Sequence, residues 1–207
     1  MQGFTAPERR LFRSLRTPQK IQDYLDTLPI NHEKGGETCY SPLTVIREKK
    51  AHCLEGALLG AAALAARGAR PLLVNLRSMN GDDDHAVALF QRGGRWGALS
   101  KTNHAVLRYR DPVYRTVHEL VLSYFHEYFL SDGKKTLRTY SRPLDLRRFG
   151  EAWVESEDEL WHIAYALWDA PHLPIIPEPL KRHIRNASPF ERSIVETTEW
   201  SERDPRT

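Results

Sequence analysis

The chain has 207 residues and 23.9 kDa, with 41% hydrophobic and 28% charged residues, a balance that excludes disorder and fibrous repeats and fits one globular domain with room for an appended helical part. Lys plus Arg number 30 against 27 Asp plus Glu, a formal net charge of +3; that is too weakly basic for a dedicated nucleic-acid binder, and the densest basic group, Arg47, Lys49 and Lys50, reads as a solvated face. No run approaches the roughly 18 apolar residues of a membrane span, and Met1 to Arg16 lacks the apolar core of a signal peptide. The expectation is a cytoplasmic protein with no nucleic-acid or membrane partner, whose Cys39 and Cys53 are reduced thiols.

In chain order, Thr17 caps a helix predicted from Pro18 to about Leu28, with Ile21, Tyr24, Leu25 and Leu28 as its apolar stripe. Asn31 to Pro42 is polar and Gly-containing and reads as a surface loop. Ala51 to Arg67 is apolar nearly all round, with Gly56, Gly60, Ala62 and Ala63 on faces that a surface helix would make polar; it reads as a central buried helix ended by Gly68, with Cys53 in its first turn. Three strands follow, Leu72 to Arg77, His85 to Gln91 and Arg95 to Leu99. The last two are joined through Arg92-Gly93-Gly94, a hairpin signal, and an acidic, flexible loop, Ser78 to Asp84, leads into His85.

Asp111-Pro112 predicts the start of a long helix to about Leu130, with Asp111 as its cap, and Lys134 to Tyr140 alternates like a further strand. Pro143, Leu144, Leu146 and Phe149 read as a connector docked on the core. Ser156-Glu157-Asp158-Glu159 reads as a capping box ahead of a helix to about Trp168. The Pro-rich stretch Pro171 to Pro179 breaks regular structure, and a polar, frayed tail is expected from Glu202. The resulting organisation is an α+β core over residues 1–150, with N-terminal helices, and a mostly helical extension over 151–207 packed on it.

A thiol in the first turn of a buried helix feels the positive end of the helix dipole, which favours the thiolate, and Lys49, Lys50 and His52 act in the same sense. A thiolate beside an imidazole can attack an amide or ester carbonyl, and N–H groups at the same helix end can hold the oxyanion. His85, at a strand start after the loop, is the best-placed imidazole. Zinc is disfavoured, because Cys39, His52, Cys53 and His85 form no paired clip, and His118 and His126 lie eight positions apart. No cofactor or metal is expected. Tyr124, Phe125, Tyr128 and Phe129 read as core or as a subunit interface, so a homo-oligomer is possible in principle, and they do not read as a base-stacking platform.

At these residues the chain resembles the transglutaminase-like superfamily, within the papain-like cysteine proteinase fold. Ala51-His52-Cys53-Leu54-Glu55-Gly56-Ala57 through Gly68 is similar to its nucleophile helix. Asp84 to Phe90 with Gly94-Arg95-Trp96-Gly97-Ala98-Leu99 is similar to its His strand and Trp-bearing partner strand. The likeness covers roughly residues 38 to 103. It implies a small antiparallel sheet packed on the central helix, and a Cys-dependent amide or peptide hydrolase or acyltransferase acting on a peptide or protein amide. Where the family carries Asp, this chain has Ser100. Asn103 is the favoured third member, since a neutral amide orients His in papain-like enzymes, Ser100 is the direct positional match, and Asp111 is held in reserve. Tyr40 is the candidate oxyanion donor. The rival reading is a catalytically silent copy of the same fold serving as a protein-binding or assembly module.

Overall fold

The computed structural model describes residues 3–79, 81–195 and 197–207, so Asn80 of the acidic loop lies outside the described residues. Its helices are α1 (Ala6–Ser14), α2 (Pro18–Thr27), α3 (Pro42–Glu48), α4 (Cys53–Ala65), α5 (Val117–Leu122), α6 (Trp161–Trp168) and α7 (Pro189–Val195). Its strands are β1 (Leu72–Arg77), β2 (His85–Arg92), β3 (Arg95–Ser100), β4 (Arg110–Tyr114), β5 (Thr139–Ser141), β6 (Leu144–Asp145) and β7 (His172–Pro174). The strands build one antiparallel sheet in the order β4-β3-β2-β1-β5-β7, with β6 also paired to β1. The architecture is α+β, helices flanking an antiparallel sheet.

Side-chain alternation gives the sheet two buried faces. Leu73, Ala86, Ala88, Phe90 and Leu99 pack with α4, α2 and α6 in the main core, while Val74, Leu76, Val87, Leu89 and Ala98 pack with Leu120, Val121, Tyr124 and Tyr128 in a second cluster. The second of these clusters makes Tyr124 and Tyr128 core residues. Because α4 is apolar all round, all its residues from Leu54 to Leu64 are buried. Its glycines set its distance from the sheet. A methyl group at Gly60 would come within 2.9 Å of Leu99 Cδ1, and one at Gly56 would clash outright with Cβ of Lys101. The first turn of α4 therefore lies against the end of β3. The Gly93-Gly94 turn has φ of 56° and 73°, the left-handed pair that a two-residue hairpin requires.

Several expectations are corrected. The segment predicted as one helix from Asp111 to Leu130 splits in two: Asp111, Pro112 and Val113 lie in edge strand β4, where a missing N–H costs no central ladder bond, and the helix begins only after Thr116, whose side chain accepts from Glu119 N–H at 3.0 Å. Asp111 is thus not a cap. Ser156 caps only a local turn, accepting from Asp158 N–H at 3.2 Å, and α6 starts at Trp161. The Pro-rich stretch contributes β7 at the other edge of the sheet. Of the Lys134 to Tyr140 segment, only Thr139 and Tyr140 enter a strand. Of the expected N-terminal helices the sequence locates only α2; α1 and α3 each have a Thr or Ser N-cap and an early proline. The 202–207 stretch is not frayed, since Lys34 Nζ donates to Thr207 Oγ1 at 3.1 Å and Thr207 is buried. No described helix is long and apolar enough to cross a membrane.

Candidate active site

Cys53 is the first residue of α4, half-buried and free, at the floor of a cleft of about 760 Å³ that is also lined by His52, His85, Asn103, Leu107 and Tyr128. Burial opposes its thiolate, but hydrogen bonds from His52 and His85 and the charges of both rings outweigh that penalty and bring the thiol down to about 5. Cys39 shows the opposite case. It is fully buried behind α6, and burial together with the nearby Glu55 charge pushes it up to about 12.

His85 opens β2, and the register that pairs Val87 with Ser100 brings its ring to the end of β3. His85 Nε2 lies 2.8 Å from Ser100 Oγ, and Ser100 Oγ–H donates onward to the Leu107 carbonyl at 2.5 Å. Since the hydroxyl proton is committed to Leu107, Ser100 can only accept from the ring. That fixes a proton on Nε2 and leaves Nδ1 as the ring nitrogen for the hydrogen bond with Cys53. Leu107 holds a left-handed φ of 60°; its N–H is anchored on Glu127 Oε2 at 2.9 Å, and Arg110 clamps the same carboxylate at 2.5 Å. Ser100 is itself fixed through its backbone, which exchanges two hydrogen bonds with the side chain of Gln22 at 2.8 and 3.0 Å.

On the other side of Cys53, His52 is the N-cap of α4, and Glu55 completes a capping box with it. Glu55 is fully buried and saturated. Oε1 accepts from Thr38 Oγ1 at 2.8 Å and Tyr40 N–H at 3.0 Å, and Oε2 accepts from His52 N–H at 2.9 Å and Asn31 Nδ2 at 3.3 Å. These bonds nail the 31–40 loop onto the first turn of α4. His52 Nε2 lies 2.9 Å from the Thr38 carbonyl and 3.4 Å from Glu55 Oε1. Burial works against its charged form, yet the bond to Cys53, the Glu55 and Cys53 charges and the Thr38 carbonyl raise it to about 9.

The structure thus brings Cys53, His85 and Ser100 together and does not bring Asn103 to them. Asn103 instead binds the backbone of Trp200, with Nδ2 donating to the Trp200 carbonyl at 2.9 Å and Oδ1 accepting its N–H at 2.8 Å. Tyr40 does not line the cleft. Its ring packs on the main core, while its N–H is taken by Glu55, and Tyr128 is the phenol that lines the cleft instead. The acidic loop is pinned, because Asp84 accepts from Asn75 Nδ2 at 2.8 Å and Ser78 N–H at 2.9 Å. Sequence reasoning missed Glu55, whose one signal is its place three residues after an N-cap. It also missed Lys101, a buried amine at the cleft whose ammonium donates to the Leu28 carbonyl and is lowered to about 8 by burial. Among the described residues no group of three or more His, Cys, Asp or Glu could hold a metal ion. No family model matches the chain, and no curated protein matches its sequence.

Proposed function

We propose that the chain is a cysteine-dependent acyl-transfer enzyme of transglutaminase-like type, with a papain-like core, acting on amide or peptide bonds in a reducing, cytoplasmic compartment. The observation that carries this reading is the alignment of a low-pKa thiol at a helix start with the His85–Ser100–Leu107 relay. In the acylation step the Cys53 thiolate bonds to the substrate carbonyl carbon, and the Cys53 N–H, which the His52 cap does not take, is the first-turn donor for the oxyanion. The tetrahedral adduct then collapses to a thioester as the C–N bond breaks, and the leaving amine takes the proton carried on His85 Nδ1. In the second half His85 Nδ1 takes a proton from water, or from an acceptor amine, which attacks the thioester and releases the thiolate.

Ser100 supplies orientation without charge. Its accepting hydroxyl keeps the ring in the tautomer whose Nδ1 is the base, the function a neutral amide performs in papain-like sites. Asn103 and Tyr40 have no part in this scheme, since the peptide group of Trp200 occupies the first and Tyr40 stands outside the cleft. The test is intact-protein mass spectrometry after mixing with p-nitrophenyl acetate. An acetyl adduct on Cys53 that is lost in Cys53→Ala and slowed in His85→Ala is expected. The absence of any adduct at Cys53 would overturn the enzymatic reading in favour of a binding module.

A further inference from the structure

Residues 197–200 run beside residues 103–105 at the rim of the Cys53 cleft and meet them at a single bridge. His104 and Thr198 pair antiparallel, Ala105 N–H donates to the Thr197 carbonyl at 3.1 Å, and Glu199 N–H donates to the Asn103 carbonyl at 2.8 Å. The Asn103 side chain then takes the next residue from both sides, bonding the Trp200 N–H and carbonyl. All of these contacts read the main chain. Side chains add the ion pair of Arg108 with Glu199 at 2.8 Å and the Arg206 guanidinium over the Trp200 ring at 4.7 Å. An edge that reads N–H and C=O groups accepts any extended polypeptide, the mode by which a peptide adds as a strand.

Thr198 and Trp200 line the cleft together with Cys53 and His85, so a chain held at this edge lies beside the thiol. We propose that the 103–105 edge, with the Asn103 amide at its centre, is a binding subsite for an extended polypeptide backbone, and that residues 197–200 occupy it until such a chain displaces them. The reading of Cys53 as a nucleophile makes that polypeptide the substrate; the subsite itself does not depend on it. A tethered occupant competes at an effective concentration on the order of millimolar, which an added chain must overcome.

The test uses the full chain carrying Cys53→Ala, which removes chemistry, and a fluorescein-labelled synthetic peptide with the sequence of residues 197–207 as probe. Glu199→Arg, placed against Arg108, loosens the resident segment, and because Arg108 Nε also donates to the His104 carbonyl of the edge at 2.9 Å, amide exchange of residues 103–105 is read alongside as the control on the edge. Fluorescence anisotropy is expected to show at least tenfold tighter binding in the Glu199→Arg background. Adding Asn103→Ala to that background is expected to weaken binding by at least tenfold. Hydrogen–deuterium exchange of the 197–200 amides reports release directly and shows whether β2 remains protected. A segment that stays as protected as β2 in Glu199→Arg is an integral wall and overturns the proposal. A released segment with no peptide binding, or with binding indifferent to Asn103, overturns it as well. Peptide binding alongside an unreactive Cys53 keeps the subsite and removes only the enzymatic reading.

Discussion

Replacing Glu55 by Gln isolates the buried hub that ties the 31–40 loop to the first turn of α4. The carboxylate accepts four hydrogen bonds, two on each oxygen. An amide supplies one accepting oxygen and one NH2 group. With the NH2 in the Oε2 position, both the His52 N–H and the Asn31 amide lose their acceptor. With the NH2 in the Oε1 position, the Thr38 hydroxyl can turn to accept, and only the Tyr40 N–H is orphaned. The second orientation is the cheaper. It leaves one unsatisfied buried N–H, costing about 1–3 kcal/mol, and weakens the remaining charge-assisted bonds by roughly 1 kcal/mol more. Glu55→Gln should therefore destabilise the fold by about 2–4 kcal/mol, and removal of the negative charge should lower His52 from its raised position. Urea unfolding followed by circular dichroism reads the first effect through the midpoint at unchanged slope. A change below about 0.5 kcal/mol would refute the hub, since it is the size of an ordinary surface substitution.

Gly56→Ala should destabilise by about 1–3 kcal/mol despite the better helix propensity of Ala, because the new methyl meets Lys101 Cβ; a raised melting temperature would contradict the close approach of α4 and β3. Ser100→Ala removes the acceptor of His85 Nε2–H and the donor to Leu107, so Cys53 alkylation at pH 6 should slow while the fold loses about 1–2 kcal/mol; Ser100→Asp should be worse, because a carboxylate would face the Leu107 carbonyl, and a gain in either quantity would count against the relay. The pH dependence of stability follows from Cys53 and His52. Cys53, held near 5 when folded, contributes stability that is lost as pH falls toward 5. His52, raised to about 9, contributes stability that is full well below about 6.5 and is lost as pH rises toward 9, so its slope in the acid window is small and of opposite sign. Between pH 5 and 6.5 wild type should accordingly gain about 1–2 kcal/mol over Cys53→Ala as pH rises, and a flat or inverted difference in urea unfolding would refute the folded-state thiolate.

What the sequence revealed was what local pattern controls. Helix α4 and strands β1 to β3 were legible because apolar periodicity, the Gly93-Gly94 turn and the Gly68 stop act within a few residues. Asp111-Pro112 misled because an Asp-Pro pair suits the entry to an edge strand as well as a helix start, and only the pairing of β4 with β3 decides between them. Cys53 and His85 could be placed because a helix start and a strand start are local events. The partner of the His85 ring could not be. Asn103 was favoured on chemistry, but its partner is Trp200, 97 residues on, a contact that no local signal announces. Ser100, the positional match, reaches His85 because the β2–β3 register sets Val87 opposite it. Glu55 was visible only as a capping residue, since its other donors come from a loop whose path the sequence does not dictate.

The most direct test of the central claim is the pH profile of iodoacetamide alkylation at Cys53, resolved by peptide mass spectrometry in wild type and His85→Ala, with Cys39 as internal control. The expected profile rises with a midpoint near pH 5 at Cys53, moves to higher pH in His85→Ala, and leaves Cys39, buried and raised to about 12, unlabelled in the folded protein. A Cys53 midpoint near the ordinary thiol value of about 8.5 that is indifferent to His85 would contradict the ion-paired nucleophile and the acyl-transfer chemistry built on it.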